Sequence, residues 1–420
     1  MTRSRLQRVL DPIVGYGTNI IGLAISNVGS YNHSQIQQLT MTRGSSSGRA
    51  AGYNPATLEA TVIGRDDTTA TGHPARVFLR DVHVQRLADY VGVPWGDIVD
   101  RYVGRLGMVT IDDQGKRAAT TFTAASWMVQ LQNSPRHVTP QAGETIGSLL
   151  NRMTFMDDPV RGTSLTVRTD GALLQHHEAG EPTLFKEAVS QFAQDVGIVM
   201  QEQRDGTTVA WGHAHREWWA ANRMSTQWPL MRSNAIAPAT YEQMGERPAP
   251  PIDYTVWTTG NYIAERSIEP PNHTGETVLR EEVDWTAWRV SVDNSDSQLW
   301  REAWSRAHTL APSNYTIPSI TVDLLMLLRQ GTEYARKIAG QMLTLEAGEP
   351  VYLSGDWPQR LRGVHYAEGI TETITPDGWT IELSLIPHAV GAGTPTPEVP
   401  PIAWDSFLIA WDEETRNWNL

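Results

Sequence analysis

Apolar and polar residues alternate with a period of two through much of the first 125 residues. This alternation, together with many β-branched residues, predicts short strands separated by turns rich in glycine, serine and aspartate. The predicted strands are residues 35–43, 56–63, 76–79, 102–111 and 118–124. Short strands at such intervals favour a barrel or a sandwich over a βαβ fold.

A second β-rich pattern lies near the C-terminal end of the chain. A region with both helix and strand signals separates it from the first. Its predicted strands are residues 317–324, 351–353, 363–373 and 379–385, with a turn at Asp377-Gly378 and a helix at 334–343. Between the two patterns, Asp205-Gly206 predicts a hairpin over 197–211. Helices are predicted at 145–153 and 182–196, with Thr183 placed to cap the second one.

The predicted fold class is therefore mainly β with α+β insertions, built as two tube-like β-barrel domains plus an inserted mixed domain. The predicted boundaries are an N-terminal arm at 1–19, a first tube-like barrel at 20–135, a discontinuous second barrel at 136–215 and 316–388, an inserted tryptophan-rich region at 216–315, and a proline-rich linker with an aromatic tail at 389–420.

Composition narrows the functional classes. Apolar residues make up 40% of the 420-residue chain, enough for real cores, and no apolar run is long enough to predict a transmembrane helix. Residues 1–10 are basic and lack the apolar core of a signal peptide, so synthesis in a cytoplasm is expected. The chain has no cysteine, which excludes disulfides, zinc–thiolate sites and cysteine nucleophiles.

The net charge of the chain is −13, which would repel DNA on average. Such a charge still permits DNA to slide past the protein without binding to it.

Aromatic residues are the outstanding feature of the composition. Nine of the 16 tryptophans lie between Trp211 and Trp304, where core filling, subunit contacts and sugar stacking are all open interpretations. The last 30 residues combine a proline-rich linker with an apolar tail. The interaction candidates in this tail are Trp404, Phe407, Trp411 and Trp418. The tail is expected to dock on an adjacent subunit or another protein, the alternative being that it folds back on its own closing barrel.

Candidate catalytic groups are weak throughout the chain. His213, His215 and Glu217 lack a clear further metal ligand, and His176-His177-Glu178 is typical of a turn. The adjacent carboxylate pairs are Asp66-Asp67, Asp112-Asp113, Asp157-Asp158 and Glu281-Glu282. Neighbouring residues in a strand point to opposite faces, so these pairs do not predict a glycosidase site. No catalytic residue, cofactor or metal site is predicted, and the chain is not expected to be an enzyme.

Three stretches together resemble the minor tail proteins of actinobacteriophages. They are Gln38–Val62, which contains Thr-Arg-Gly and Ala-Thr-Leu-Glu-Ala-Thr-Val; Tyr102–Trp127; and Leu345–Leu385, which ends in Pro-Asp-Gly-Trp-Thr-Ile-Glu-Leu-Ser-Leu. The resemblance lies in their order and spacing. It implies the tail-tip or baseplate hub family of long-tailed phages, in which each chain carries two tube-like barrels.

What this resemblance implies is a homotrimer whose six barrels mimic a hexameric tail tube. The expected partners are other copies of the chain, the distal tail protein, the tape measure protein and other minor tail proteins. DNA would be only a transient partner, passing through a lumen with an acidic or neutral wall. The expected location is the tail tip of the virion, with synthesis in the host cytoplasm.

Two further hypotheses are weighed against the hub. A carbohydrate-binding or glycan-degrading tail-tip module would expose its tryptophans or converge its carboxylates in a cleft, whereas a hub would bury its tryptophans. A tail fibre would need repeats or heptads, which are not obvious. A hub should also leave open strand edges that assembly covers, and residues 36–43 and 379–385 are the expected edges.

Overall fold

The structure is a computed structural model. It describes residues 3–16, 19–25, 29–44, 55–66, 71–113, 118–126, 199–211, 228–234, 319–358 and 361–387, together with shorter pieces between 129 and 316. The predicted helix at 145–153 and the tail at 389–420 lie largely or wholly outside these residues. Among the described helices, none has the length and apolar character needed to span a bilayer.

Strands dominate, as predicted from the alternation. Those of the first part are β1 (Ile21–Ile25), β2 (Gly29–Asn32), β3 (Ile36–Gly44), β4 (Thr57–Ile63), β5 (Pro74–Leu79), β6 (Asp100–Asp113) and β7 (Ala118–Ala125). The middle contributes β8 (His137–Val138), β9 (Leu165–Arg168), β10 (Leu174–His176), β11 (Thr183–Leu184), β12 (Val199–Glu202), β13 (Thr208–Trp211), β14 (Glu242–Gln243), β15 (Ile252–Thr258), β16 (Ile263–Ile268), β17 (Leu279–Trp285), β18 (Trp288–Val290) and β19 (Tyr315–Thr316). The last part holds β20 (Ser319–Asp323), β21 (Pro350–Leu353), β22 (Gly363–Thr375) and β23 (Gly378–Pro387).

One antiparallel sheet of 11 strands organises the molecule. Its order is β2-β1-β5-β6-β7-β4-β3-β22-β23-β20, and β21 also pairs with β22. The central pairing of β3 with β22 puts Thr42 opposite Thr371, so strands from both predicted barrels belong to a single sheet. The mainly β class is confirmed, whereas the division into two barrels stays a prediction.

The sheet must curl, because strands at distant places in its order are close along the chain. β2 and β3 are six places apart, about 29 Å in a flat sheet at ~4.8 Å per strand. Yet only a short turn joins them, and the chain from Asn32 to Ile36 can span at most about 14 Å. The curl brings Tyr31 of β2 to within 5.7 Å of the Phe122 ring of β7, measured between ring centroids.

Among the described residues, the α-helices with defined bounds are α1 (Arg5–Val14), α2 (Asp81–Val91), α3 (Leu324–Gln330) and α4 (Glu333–Thr344). Short 3-10 helices lie at Trp95–Ile98 and Arg232–Asn234. Helices α1 and α3 contact β23, α2 contacts α1 and α4, and α3 contacts α4. The predicted helix at 334–343 is thus confirmed as α4, with Thr332 accepting a cap hydrogen bond from Ala335 N.

Two local predictions need correction, and one helix was missed. Residues 5–14 form a helix, not an arm, because Leu6, Leu10 and Val14 recur every four residues and are buried, and Ser4 caps the helix. Thr183 is not a helix cap, since β11 pairs it with Val138. Helix α2 was not predicted at all, although its buried residues follow a helical period.

The predicted open edges are also wrong. Strand β3 lies between β4 and β22, and β23 lies between β22 and β20, so both have partners on two sides. Among the described residues, the strands at the ends of the sheet are β2 and β20. The two segments that were expected to need another subunit as a partner are therefore paired with strands of the same chain.

A structural repeat relates two parts of the sheet. In both parts a long strand (β6 or β22) forms a hairpin with the next strand (β7 or β23), which pairs in turn with a third (β4 or β20). A bulge interrupts each long strand, between Leu106 and Met108 and between Ala367 and Gly369. Strands β5 and β21 pair with the part of each long strand before the bulge.

The repeat extends to single hydrogen bonds beside the bulge. Leu106 N donates to His73 O at 2.8 Å, and Gly72 N donates to Leu106 O at 2.7 Å. In the second copy of the pattern, Ala367 N donates to Glu349 O at 2.9 Å, and Gly348 N donates to Ala367 O at 2.7 Å. Both glycines have φ of 87°, a left-handed conformation that side chains disfavour. We call strands β4, β5, β6 and β7 the first unit, and strands β20, β21, β22 and β23 the second unit.

Candidate functional site: a threonine face on the sheet

Strand alternation sorts the side chains of the large sheet onto two faces. One face packs into the hydrophobic core, and its apolar residues are buried. The opposite face carries a series of threonines, none of which is buried: Thr40, Thr42, Thr57, Thr61, Thr110, Thr121, Thr123, Thr321, Thr371, Thr373, Thr375 and Thr380. We call this surface, with the other residues in register with these threonines, the threonine face.

The register aligns these residues in rows that cross seven strands. One row runs through Thr321, Glu382, Thr371, Thr42, Thr57, Ala125 and Arg105. The next runs through Asp323, Thr380, Thr373, Thr40, Glu59, Thr123 and Met108. Six strand spacings of ~4.8 Å give the rows a contour length of about 29 Å. The face therefore extends without interruption over the junction between the two units.

Hydroxyl groups interact across the strands of this face. The Oγ1 atoms of Thr42 and Thr371 lie 3.3 Å apart, and those of Thr61 and Thr121 lie 3.0 Å apart. Cross-strand threonine pairs of this kind add a modest stabilisation to a sheet. The hydroxyls thus satisfy part of their hydrogen bonding internally and present a polar, uncharged surface.

The charges on the threonine face are few and mostly negative. Its carboxylates are Glu59, Asp323 and Glu382, and its described rows contain one cation, Arg105. Glu59 and Glu382 are exposed. Asp323 is less available, because it caps helix α3 through Met326 N at 3.0 Å and Arg5 approaches it at 3.4 Å. The face is net acidic over the described residues.

Directly behind this face, at the junction of the two units, a buried ion pair lies in the core. Both Nε and Nη2 of Arg101 donate to the Glu372 carboxylate, at 3.1 and 2.6 Å, and both side chains are almost inaccessible. Trp379 Nε1 donates to the same carboxylate at 2.8 Å. Arg43 Nη1 donates to the Arg101 carbonyl at 2.9 Å. The pair thus ties the first unit and β3 to β22 and β23.

Nearby positive charges favour the ionised form of the buried Glu372 carboxylate. Burial by itself raises the pKa of Glu372, but attraction and hydrogen bonds from Arg101, with help from Arg43 and Trp379, leave that pKa below its ordinary value. Arg101 and Arg204 also donate to the Leu343 carbonyl in the last turn of α4, where a helix favours positive charge. The junction therefore depends on charges that have no contact with water.

The β12–β13 hairpin docks on the same junction. Arg204 Nε lies 3.0 Å from a Glu346 carboxylate oxygen, and Gln201 Nε2 donates to Glu368 Oε2 at 3.0 Å. Glu202 accepts from Ala56 N at 2.5 Å. This predicted hairpin is confirmed, and its polar side chains serve to attach it to the sheet.

Most of the residues singled out by sequence lie outside the part of the chain that the structure describes. Trp404, Phe407, Trp411, Trp418, His213, His215, Glu217 and the Asp157-Asp158 pair lie outside the described residues, as do His177, Glu178 and Asp67. Asp66 accepts a hydrogen bond from the Tyr31 hydroxyl, and Asp113 pairs with Arg65 at 3.1 Å. Among the side chains that are described, no group of histidines and carboxylates could hold a metal ion.

The tryptophans that can be placed have different environments. Trp211, Trp357 and Trp379 are buried, in keeping with the core-filling interpretation for Trp211. Trp228 is 40% exposed, and its ring meets Tyr334 edge-on, with centroids 6.2 Å apart. Outside the predicted cluster, Trp95 is 50% exposed.

Sequence reasoning missed both the threonine face and the buried pair. The signal for the face was Thr-x-Thr at 40–42, 121–123 and 371–375. Such a pattern shows that the threonines share a face within each strand, but strand order is needed to join the three patterns. Nothing local marks Arg101 and Glu372, which are 271 positions apart in the chain.

Comparisons with known proteins show which solved structures have a similar fold. No family model matches this chain, and no curated protein sequence matches it. Among solved structures, the tail protein from Neisseria meningitidis MC58 aligns over 87% of this chain and 95% of its own, with a TM-score of 0.52 and 12% identity. The chain therefore shares its fold with a tail protein.

Two further structures align at a slightly lower TM-score of 0.49. The 43 kDa tail protein of prophage MuSo2 from Shewanella oneidensis is 10% identical, with 87% of this chain and 97% of its own covered. The prophage tail protein gp18 from Listeria monocytogenes EGD-e is 11% identical, with 94% and 99% covered.

Proposed function

We propose that this chain is a structural building block of a phage tail, and that the threonine face lines the channel through which DNA passes. The observation that carries the proposal is the wide, continuous, partly exposed and net acidic surface over seven strands. Proteins gain affinity for DNA chiefly by neutralising phosphates. A wall of hydroxyls with scattered carboxylates offers polar contact without that affinity, so DNA can move along it.

The proposed location is the tail tip of the virion, after synthesis in the host cytoplasm. The fold shared with a Neisseria tail protein supports a place in a tail. The sequence resemblance to minor tail proteins of actinobacteriophages narrows that place to a hub, which closes the tail tube and joins it to host-recognition proteins. Its partners would be the distal tail protein, the tape measure protein and other minor tail proteins.

The proposed assembly is a homotrimer in which each chain contributes two tube-like barrels. The two units of the sheet support this idea, because they repeat the same hairpin, bulge and hydrogen bonds within one chain. Three chains with two units each would place six similar wall segments around one lumen. A particle-bound monomer, or a ring of six chains, would contradict this assembly.

The proposed role is mechanical and requires no catalytic residue, cofactor or metal ion. Purified protein is expected to leave peptidoglycan and polysaccharides intact. Clearing of a cell-wall substrate, with loss of that activity on changing one of the carboxylate pairs, would contradict the non-enzymatic role.

A direct test of the channel role places positive charge on the threonine face. Phage particles carrying Thr42→Arg together with Thr373→Arg are expected to assemble and then to eject DNA more slowly, because the arginines bind passing phosphates. The matched control is Gln330→Arg, at an exposed position near the end of helix α3. Wild-type ejection kinetics in both variants would overturn the proposal, as would equal slowing in both.

The carbohydrate-binding alternative needs an exposed aromatic platform. In the tryptophan-rich stretch, Trp228 is 40% exposed, whereas Trp211 is buried. A Trp228→Ala variant that loses binding of tails to host cell walls, while still assembling, would favour the alternative over the channel.

A further inference from the structure

The repeat between the two units exposes a difference in strand pairing. In the second unit, the part of β22 after its bulge pairs with β3, from Gly369 to Ile374. In the first unit, the part of β6 after its bulge pairs with β7 on one side, and no other described strand pairs with its second side. We call residues 107–111 of β6, on this second side, the open edge.

Several residues of the open edge are exposed to solvent. Met108 is 55% exposed and Ile111 is 37% exposed, and Gly107 and Thr110 are exposed as well. Counting from the two bulges, Ile111 occupies the place that the buried Glu372 has in the second unit. An extended edge with apolar side chains is a template for pairing with another strand.

A second end of the same sheet is also without a described partner. Strand β20 pairs with β23 on one side, and no described strand pairs with its other side. The rows of the threonine face run from β20 at one end to β6 at the other. Ile320 and Val322 of β20 point into the core, whereas Thr321 belongs to the threonine face. The open edge has the matching pattern, with Val109 and Ile111 on the core side and Thr110 on the threonine face.

We propose that the open edge pairs with β20 of a second copy of this chain, so that the sheet and its threonine face continue from one copy to the next. Pairing in this way would bring Val109 and Ile111 beside Ile320 and Val322, and Thr110 beside Thr321. Register between strands is set by such matching of faces. This inference rests on the proposed function, because it supplies the contact by which copies close around a channel.

Strand directions fix how the two edges meet. Each neighbouring pair from β6 through β7, β4, β3, β22 and β23 to β20 is antiparallel, so β6 and β20 run in the same direction. Rotation about a ring axis preserves that direction, and β20 of one copy therefore meets β6 of the next in parallel. A two-fold dimer would instead bring two β6 edges together.

Disulfide trapping tests this contact on a clean background, because the chain has no cysteine. Chains with Thr110→Cys are mixed with chains with Thr321→Cys and oxidised, and a covalent heterodimer is expected. Chains that carry both substitutions should yield covalent closed rings of several copies, and a cross-link confined to single chains would contradict the contact. The control pair is Thr61→Cys with Thr321→Cys, which should not cross-link.

The outcomes separate this inference from the proposed function. Rings seen by electron microscopy without the 110–321 cross-link would overturn the edge contact and leave the channel proposal intact. Cross-linking of Thr110→Cys chains to each other would show a two-fold contact and also overturn it. A protein that stays monomeric at high concentration would contradict both proposals.

A charge at the edge gives a second readout that does not depend on cysteine. Ile111→Lys is expected to weaken assembly at least tenfold, because a lysine would face the apolar side of β20 in the next copy. Ile63→Lys is the matched control: Ile63 is 55% exposed and lies on β4, an internal strand. Equal weakening by both variants, measured by sedimentation, would contradict the edge contact.

Discussion

The two units of the sheet share one backbone pattern and differ in what their long strands meet. After its bulge, β22 is closed by β3, and Glu372 is buried against Arg101 and Trp379. After its bulge, β6 leaves an edge at which Ile111 is exposed. The same backbone thus supports a closed internal junction in one unit and an available surface in the other. Their difference locates the strand edge at which we propose that a second copy continues the sheet.

The largest expected effect concerns the closed junction. Arg101→Met should lower the free energy of unfolding by about 3–5 kcal/mol, because it leaves the Glu372 carboxylate buried without its cation. Ile111→Lys at the open edge should change monomer stability by only about 0.5 kcal/mol or less. Chemical denaturation of both variants measures the difference. Joint replacement of Arg101 and Glu372 by methionine should recover much of the loss, and a similar cost for Arg101→Met and Ile111→Lys would contradict the comparison.

Acid should weaken the closed junction specifically. The pKa of Glu372 is lowered in the folded chain, so the unfolded chain takes up its proton first as the pH falls. The stabilisation from this group is present above its unfolded pKa of ~4.3 and is lost toward the lower folded pKa, at up to about 1.4 kcal/mol per pH unit. Glu372→Gln should be less stable at pH 7 and should lose less on acidification. Parallel pH profiles for this variant and the wild type would rule out the assignment.

A smaller effect is expected from the hydroxyls of the threonine face. The Thr61–Thr121 pair is bonded at 3.0 Å, and Thr61→Val should cost about 0.2–1 kcal/mol. At the equivalent place in the second unit, Thr321 lies opposite Glu382, and Thr321→Val should cost about 0.5 kcal/mol or less. A double-variant cycle over positions 61 and 121 measures the coupling. Zero coupling energy would show that the hydroxyl pair contributes nothing to the sheet.

Local patterns predicted the strands and their hairpins well. The predicted segments 102–111 and 118–124 are β6 and β7 with ends within two residues, since period-two alternation reports directly on a half-buried strand. Helix α1 shows the limit of composition-based reasoning. Its basic, proline-containing sequence suggested an arm, while the four-residue spacing of Leu6, Leu10 and Val14 carried the correct information.

The candidate site could not be predicted to the same extent, because it depends on strand order. Thr42 and Thr371 lie 329 positions apart in the chain and meet only through the pairing of β3 with β22. The sequence shows alternation within a strand, but it does not show which strands are neighbours. The buried Arg101–Glu372 pair has the same origin, since a charged residue in a strand ordinarily indicates solvent.

A cryo-electron microscopy map of the assembled protein at side-chain resolution would show which surface of the chain lines the lumen. The threonine face is predicted to line the lumen, with Thr42, Thr373 and Glu59 facing the axis and the helices on the outside. A map in which helices α1 and α3 face the lumen, or in which the threonine face is buried against another protein, would contradict the account.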